Sequence, residues 1–157
     1  RSRLGDYEID TVHGCDKASI VTIVDRATGH VLIGKLNRAT AELTLERTLK
    51  LLEPFRHLIK TITADNGSEF HMYKKLEEAL GVPVYFATPH HAWERGTNEN
   101  TNGLIRQYLP KGMSLRTVTQ AYCDKIAQTL NDRPRLRHKF YTPNEVFQQR
   151  STIQPGP

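Results

Sequence analysis

An α/β domain built on a five-stranded mixed sheet flanked by helices is what the sequence predicts, and three observations predict it. Three alternating or β-branched runs follow one another within residues 5–36. The hydrophobic period then lengthens to that of a helix from residue 40, and strand and helix character alternate from there on. A meander followed by alternating helix and strand needs a mixed sheet with helices on both faces. The 157 residues suit one domain with its own core, residues 1–150, and the closing "STIQPGP" (151–157) reads as a frayed, flexible tail.

The elements follow in order. "GDYEIDTVH" (5–13) alternates polar with apolar, as a strand with one wet face does. "ASIVTIVD" (18–25) is β-branched, "RATG" is a turn, and "HVLIGKL" (30–36) is a third strand. In "TAELTLERTLKLLEPF" (40–55) Leu43, Leu45, Leu49 and Leu52 mark an amphipathic helix, started by Thr40 and stopped by Pro54. "LIKTITA" returns to strand character, "EFHMYKKLEEALG" is a helix ended by Gly81, and "VPVYFA" is a short fifth strand. After "TPHHAWERG" a helix is predicted from Asn98 to about Tyr108, before Pro110, and a longer one from about Leu115 to Leu130.

Composition narrows the function classes. Apolar residues make up 38% and charged ones 25%, a globular balance without repeats or low-complexity tracts. No apolar run approaches membrane-spanning length and no leader is read, so a soluble protein with no membrane partner is expected. Cys15 and Cys123 lie far apart without a CxxC partner, which fits a reducing, cytoplasmic location, and His13 with Cys15 is too small a set for a zinc site. Lys and Arg number 22 against 17 Asp and Glu, and much of the excess follows residue 106, as a polyanion-binding surface or a merely well-solvated one would have it.

The acidic residues carry the chemistry. "TITADNGSEF" (61–70) runs β-branched and stops at Asp65, where Asn-Gly lets the backbone turn away. A carboxylate there can hold a hard cation outside a strand end, although alone it reads equally as a strand-to-helix turn. Asp10 lies on the first strand with Asp6 and Glu8 on the same face, the latter two also compatible with a solvent-facing edge strand. Glu99 falls in the first turn of the helix that Thr97 caps, with Asn102, Gly103 and Arg106 following on its stripe. Asp10, Asp65 and Glu99 together suit Mg²⁺ or Mn²⁺, two ions of which clamp the attacking and leaving oxygens of an in-line displacement at phosphorus. Glu94 competes with Glu99 but sits in a loop, and Asp25 is accounted for as a turn former before Gly29.

These residues resemble the DDE transposases with a retroviral-integrase-like catalytic core, most closely the insertion sequence thirty family. "GDYEIDTV" resembles that family's first acidic motif, "TADNGSEF" its second, "WERGTNENTNGLIRQYLPKG" its third and "LNDRPRLRHKFYTPNEVF" its closing segment. Thirty-three residues separate Asp65 from Glu99, the spacing known for that group. Tyr7 and Ile9 depart from the Trp and Gly of many relatives, a difference of local packing, since Ile9 points away from Asp10. The resemblance implies a ribonuclease H-like fold, metal binding by Asp10, Asp65 and Glu99, DNA cleavage at element ends and transfer of the freed 3′-hydroxyl into a target duplex by a homo-oligomer. It also implies an N-terminal helix-turn-helix region, which is not read in these residues, so the chain from Arg1 is expected to be the catalytic core alone.

Candidate DNA contacts are His90, His91 and Arg95 in the loop before the Glu99 helix, then Asn102 and Arg106, then Lys111, Arg133, Arg135 and Arg137, with "NDRPRLRHK" expected to run extended along a DNA backbone. Trp93 reads as an anchor of its loop or a stacking platform. Two further readings stand beside a strand transferase: a nuclease of the same fold that stops at hydrolysis, and a catalytically silent DNA-binding or assembly module.

Overall fold

The opening meander forms as three strands, β1 (Asp6–His13), β2 (Ser19–Asp25) and β3 (Val31–Leu36), paired antiparallel in sequence order. The structure, a computed structural model, describes residues 3–64, 72–87 and 96–153. β4 (Thr61–Ala64) and β5 (Val84–Phe86) add in parallel on the other side of β1, so the sheet order is β3-β2-β1-β4-β5. Parallel pairing needs crossovers, and α1 (Ala41–Leu52) and α2 (Tyr73–Leu80) supply them. α3 (Gly96–Ile105), α4 (Gln120–Asn131) and α5 (Pro143–Ile153) complete the order.

The period of two along β1 sorts the core into two layers. Tyr7 and Ile9 join Val21, Ile23 and Ile62 under Leu52 of α1 and Leu76 and Leu80 of α2. Both Tyr7 and Ile9 are fully buried in this layer, the Tyr7 hydroxyl without a hydrogen-bond partner among the described residues. On the opposite face Val12, Ile20, Val24 and Ile33 pack against Ile105 of α3 and Cys123, Ile126 and Leu130 of α4. A side chain of this size stabilises the fold by roughly 1.5–3 kcal/mol when buried.

Local chemistry sets the ends. Thr40 accepts the Leu43 N–H at 3.2 Å to start α1, which yields after Leu52 to a 3₁₀ turn, Glu53–Leu58, around Pro54. Gly34 lets α1 lie directly on β3, since a Cβ there would sit 2.4 Å from the Arg47 side chain and 2.8 Å from that of Leu51. The free edge of β3 is closed by two amides of α4. Asn131 accepts from the Val31 N–H (2.8 Å) and donates to its carbonyl (2.9 Å), while Gln120 does the same for Lys35 N–H (2.8 Å) and Ile33 carbonyl (2.9 Å). An edge strand so occupied cannot template a second chain.

Several expected boundaries move. β1 is the central strand, not an edge strand, and Glu8 is fully buried beside Arg26, whose Nε lies 3.5 Å from its carboxylate. The helix expected from Leu115 begins at Gln120 instead. Buried Lys35 turns its Nζ to the carbonyls of Leu115, Arg116 (3.1 Å) and Val118 (2.6 Å), which withdraws them from a helical ladder until Thr119 caps α4. α3 starts at Gly96 rather than Asn98, which places Thr97 inside the helix, its carbonyl accepting from the Thr101 hydroxyl at 2.9 Å. "NDRPRLRHK" is not extended throughout: Leu136–His138 form a 3₁₀ turn. α5 was not expected, and it runs past residue 150 to Ile153, so residues 151–153 are helical. Its Phe147 stacks on His30 with ring centroids 4.3 Å apart, beside Leu4, Leu58 and Phe55.

Candidate active site

Asp10 lies mid-strand on the face that carries α3, half-buried, and the antiparallel register sets Thr22 of β2 directly opposite. Ile105 holds α3 on that face, so the polar residues one and two turns earlier meet the strand pair. Asn102 donates from Nδ2 to Asp10 Oδ2 at 3.1 Å, and its Oδ1 lies 3.1 Å from the Thr22 hydroxyl, which also lies 3.2 Å from Asn98 Oδ1. The Thr11 N–H donates to Asp10 Oδ1 at 2.8 Å. Asn98 is fully buried, as is Thr22. A relay Asn98–Thr22–Asn102–Asp10 therefore ties the helix to the strand and orients the carboxylate. Neither Thr22 nor Asn98 was singled out in the sequence; the one available signal was a hydroxyl placed amid the β-branched run of β2.

Glu99 is exposed in the first turn of α3, next to Asn98 and three residues before Asn102. Residues three apart on a helix are surface neighbours, about 5–6 Å between Cβ atoms, so Glu99 stands beside the amide that holds Asp10. β4 runs parallel to β1 with Ala64 paired to Ile9, so the strand that precedes Asp65 in the chain ends alongside Asp10. Asp65 itself lies outside the described residues, as do His90, His91, Trp93, Glu94 and Arg95. Among the described residues no group of three His, Cys, Asp or Glu side chains forms a metal cluster. Asp10 and Glu99 are the hard oxygen donors of the kind that Mg²⁺ or Mn²⁺ takes, and they fit such an ion in chemistry.

Two further acids, Asp6 of β1 and Asp25 of β2, are occupied elsewhere. Asp6 would be raised by burial, but hydrogen bonds from Arg3 and Thr61 and the Arg3 and Arg26 charges outweigh this and hold it below the usual carboxylate range. Asp25 is raised by burial, against the Gly5 N–H (2.9 Å), the Thr28 N–H (3.0 Å) and the Thr28 hydroxyl (2.6 Å) that it accepts; it builds the β2–β3 turn.

The expected DNA contacts divide. Arg106 donates to the carbonyls of Leu109 (3.3 Å) and His13 (3.2 Å), tying the end of α3 to the end of β1. Lys111 is exposed. Arg133 reaches Gln107 (3.3 Å) and the Tyr108 hydroxyl (2.8 Å), and Arg135 the Leu130 carbonyl (3.1 Å). Arg137 reaches the carbonyls of Arg26 (3.1 Å) and Ala27 (2.8 Å). Both cysteines are free thiols, Cys15 exposed and Cys123 buried. Among the described residues no helix is long and apolar enough to cross a membrane.

Comparison with known proteins gives this geometry a context. Residues 3–92 match the family model described as "Integrase core domain". The chain is 47% identical over 150 residues to the transposase for insertion sequence element IS4351 of Bacteroides fragilis, covering 95% of this chain and 46% of that protein. It is 41% identical to the transposase InsI for insertion sequence element IS30A of Escherichia coli (strain K12), covering 95% and 39% respectively. The chain thus spans less than half the length of these curated relatives. Among solved structures, the catalytic core domain of BIV integrase superposes with a TM-score of 0.70 at 20% identity, covering 95% of this chain and 98% of that one. A simian T-cell lymphotropic virus intasome superposes at 0.77 with 18% identity, covering 99% and 58%. The five-stranded sheet with its flanking helices is that of these cores, the ribonuclease H-like fold.

Proposed function

The chain belongs to the integrase core domain family, alongside the transposases of IS30 and related insertion sequences, and from that premise we propose that it is the catalytic core of a DNA transposase, cutting strands at element ends and joining the freed 3′-hydroxyl to a target duplex. The observation that carries the reading is the Asn102–Asp10 hydrogen bond at 3.1 Å, which brings the helix of Glu99 onto the strand of Asp10 across 92 residues of sequence. Asp10, Asp65 and Glu99 would hold Mg²⁺ or Mn²⁺, two ions in the working site. Such ions, when bound, lower the pKa of an attacking water or 3′-hydroxyl and neutralise charge on the leaving oxygen.

The chain's own residues do the positioning. Asn102 and the Thr11 N–H each occupy one oxygen of Asp10 and fix the direction of the carboxylate. Buried Thr22 and Asn98 hold α3 at its height over the sheet, which fixes where Glu99 emerges. Arg106, Lys111, Arg133, Arg135 and Arg137, with Asn102, would contact DNA in this reading, as would His90, His91 and Arg95, which lie outside the described residues. Action by a homo-oligomer in the cytoplasm completes it.

A strand-joining assay tests the proposal. Supplied with a duplex ending in a free 3′-hydroxyl and a target duplex, the parent polypeptide should give joined product in Mg²⁺ or Mn²⁺. Glu99→Gln and Asp65→Asn should give none while retaining DNA affinity. Cleavage without joining would replace the reading by that of a nuclease, and full activity in Glu99→Gln would remove Glu99 from the site.

A further inference from the structure

Residues 133–141 form a small knuckle whose ionisable groups up to Lys139 are all basic: Arg133, Arg135, Arg137, His138 and Lys139. It shows three large apolar side chains to solvent, Leu136 at 78% exposure, Phe140 at 69% and Tyr141 at 58%. Isolated exposed apolar side chains are ordinary, but three within six residues make a patch. The knuckle is built rather than loose. The Phe140 N–H donates to the Arg135 carbonyl (2.8 Å) and the Arg135 N–H to that of Tyr141 (3.1 Å), closing it on itself. Arg137 pins it to the β2–β3 turn through the carbonyls of Arg26 and Ala27, and His138 Nε2 lies 2.7 Å from that of Thr28.

Two features set this knuckle apart. Lys139 (φ 54°), the left-handed residue that ends the 3₁₀ turn, and Phe140 (φ 71°) are the only non-glycine residues at positive φ among the described residues, a conformation unfavourable for a bulky side chain. The Phe140 ring gains little burial to offset it. Arg135 is held below the ordinary guanidinium range, first by burial and then by the charges of Arg133 and Arg137, so the fold presses cations together. Arg135 and Arg137 also line a cleft opposite Thr97, Asn100 and Thr101 of α3, the helix that carries Glu99.

We propose that this knuckle is a DNA-gripping arm of the active site, in which Arg133, Arg135 and Lys139 meet phosphates while Phe140 and Tyr141 stack on unpaired or unstacked bases beside the reacting strand. Stacking on aromatic rings is indifferent to base identity, and clustered cations gain affinity by releasing counterions. A second copy of the chain is the less suitable occupant, since two knuckles of the same sign repel. The proposal rests on the transposase reading for its polyanion and adds to it the side chains that grip.

The test is binding by the parent polypeptide in metal-free buffer with chelator, to a fluorescent duplex of mixed sequence and to a branched duplex carrying an unpaired arm. Phe140→Gly relaxes the left-handed backbone, so it should keep or raise the melting temperature. It should nevertheless weaken binding to branched DNA about tenfold, and to plain duplex less. Lys139→Gly should keep the fold and reduce the slope of log affinity against log salt by about one. Undiminished affinity of folded Phe140→Gly for branched DNA overturns the proposal, and so does a loss that tracks loss of self-association in sedimentation, which would assign the patch to a second copy. Binding without metal does not depend on cutting, so an inactive acidic site and a failed knuckle give separable results.

Discussion

Replacing Asn102 by alanine removes one donor from Asp10 and one acceptor from Thr22, and the two losses have different weights. A hydrogen bond to a charged carboxylate has a net worth of about 1.5–3 kcal/mol, and removing such an orienting partner from a metal ligand characteristically costs about 10- to 100-fold in metal affinity. The effect on folding is partly offset. Asn98 remains 3.2 Å from the Thr22 hydroxyl, and alanine is the better helix former by roughly 0.5 kcal/mol, so stability should fall by about 1–2.5 kcal/mol, several degrees of melting temperature. The assay is titration with Mn²⁺, following loss of the free-ion electron paramagnetic resonance signal, beside a thermal melt. Thr22→Val is the companion: Asn102 still reaches Asp10, so the loss in affinity should be well below that of Asn102→Ala. Metal affinity within twofold of the parent in a folded Asn102→Ala variant would refute the claim that this amide orients the carboxylate.

Two further outcomes follow from the fold. Burial against Phe55 and Phe147 lowers the His30 imidazole to about 4 from 6.5; the unfolded chain therefore takes up this proton first as pH falls. The stability is fully present above about pH 6.5 and is lost as pH drops through 4, roughly 3 kcal/mol in all, and His30→Phe should flatten that part of a pH series of denaturant melts. Asn131→Ala leaves both the N–H and the carbonyl of Val31 without their amide partner, so it should cost about 2–4 kcal/mol in urea unfolding.

The strands of the meander were legible because β-branched residues and alternation leave little choice of period, and Thr40 and Gly81 sit at helix ends as their chemistry dictates. α5 is legible in principle from its first residues. "TPNE" is a capping box with proline at the first helical position: the Glu145 N–H donates to Thr142 Oγ1 and the Thr142 N–H to Glu145 Oε1, both at 3.1 Å. Pro134 and the arginines before α5 favour an extended segment locally, whereas Leu136–His138 close into a 3₁₀ turn that Arg137 bonds to the β2–β3 turn. The start of α4 could not be read locally, because Lys35, 80 residues earlier than Leu115, competes for the carbonyls there. The acidic residues Asp10 and Glu99 were visible as residue types at strand and helix positions. The relay between them was not, since it depends on the β1–β2 register and on contacts 76 to 92 residues apart.

The central claim is that Asp10 and Glu99 share a divalent cation with Asp65, and crystals of the parent polypeptide soaked in Mn²⁺ test it most directly through anomalous diffraction. The account predicts a strong anomalous peak bonded to carboxylate oxygens of Asp10 and Glu99, and its disappearance in Asp10→Asn. A Mn²⁺ peak bonded to neither carboxylate, or a site that survives Asp10→Asn intact, would contradict it.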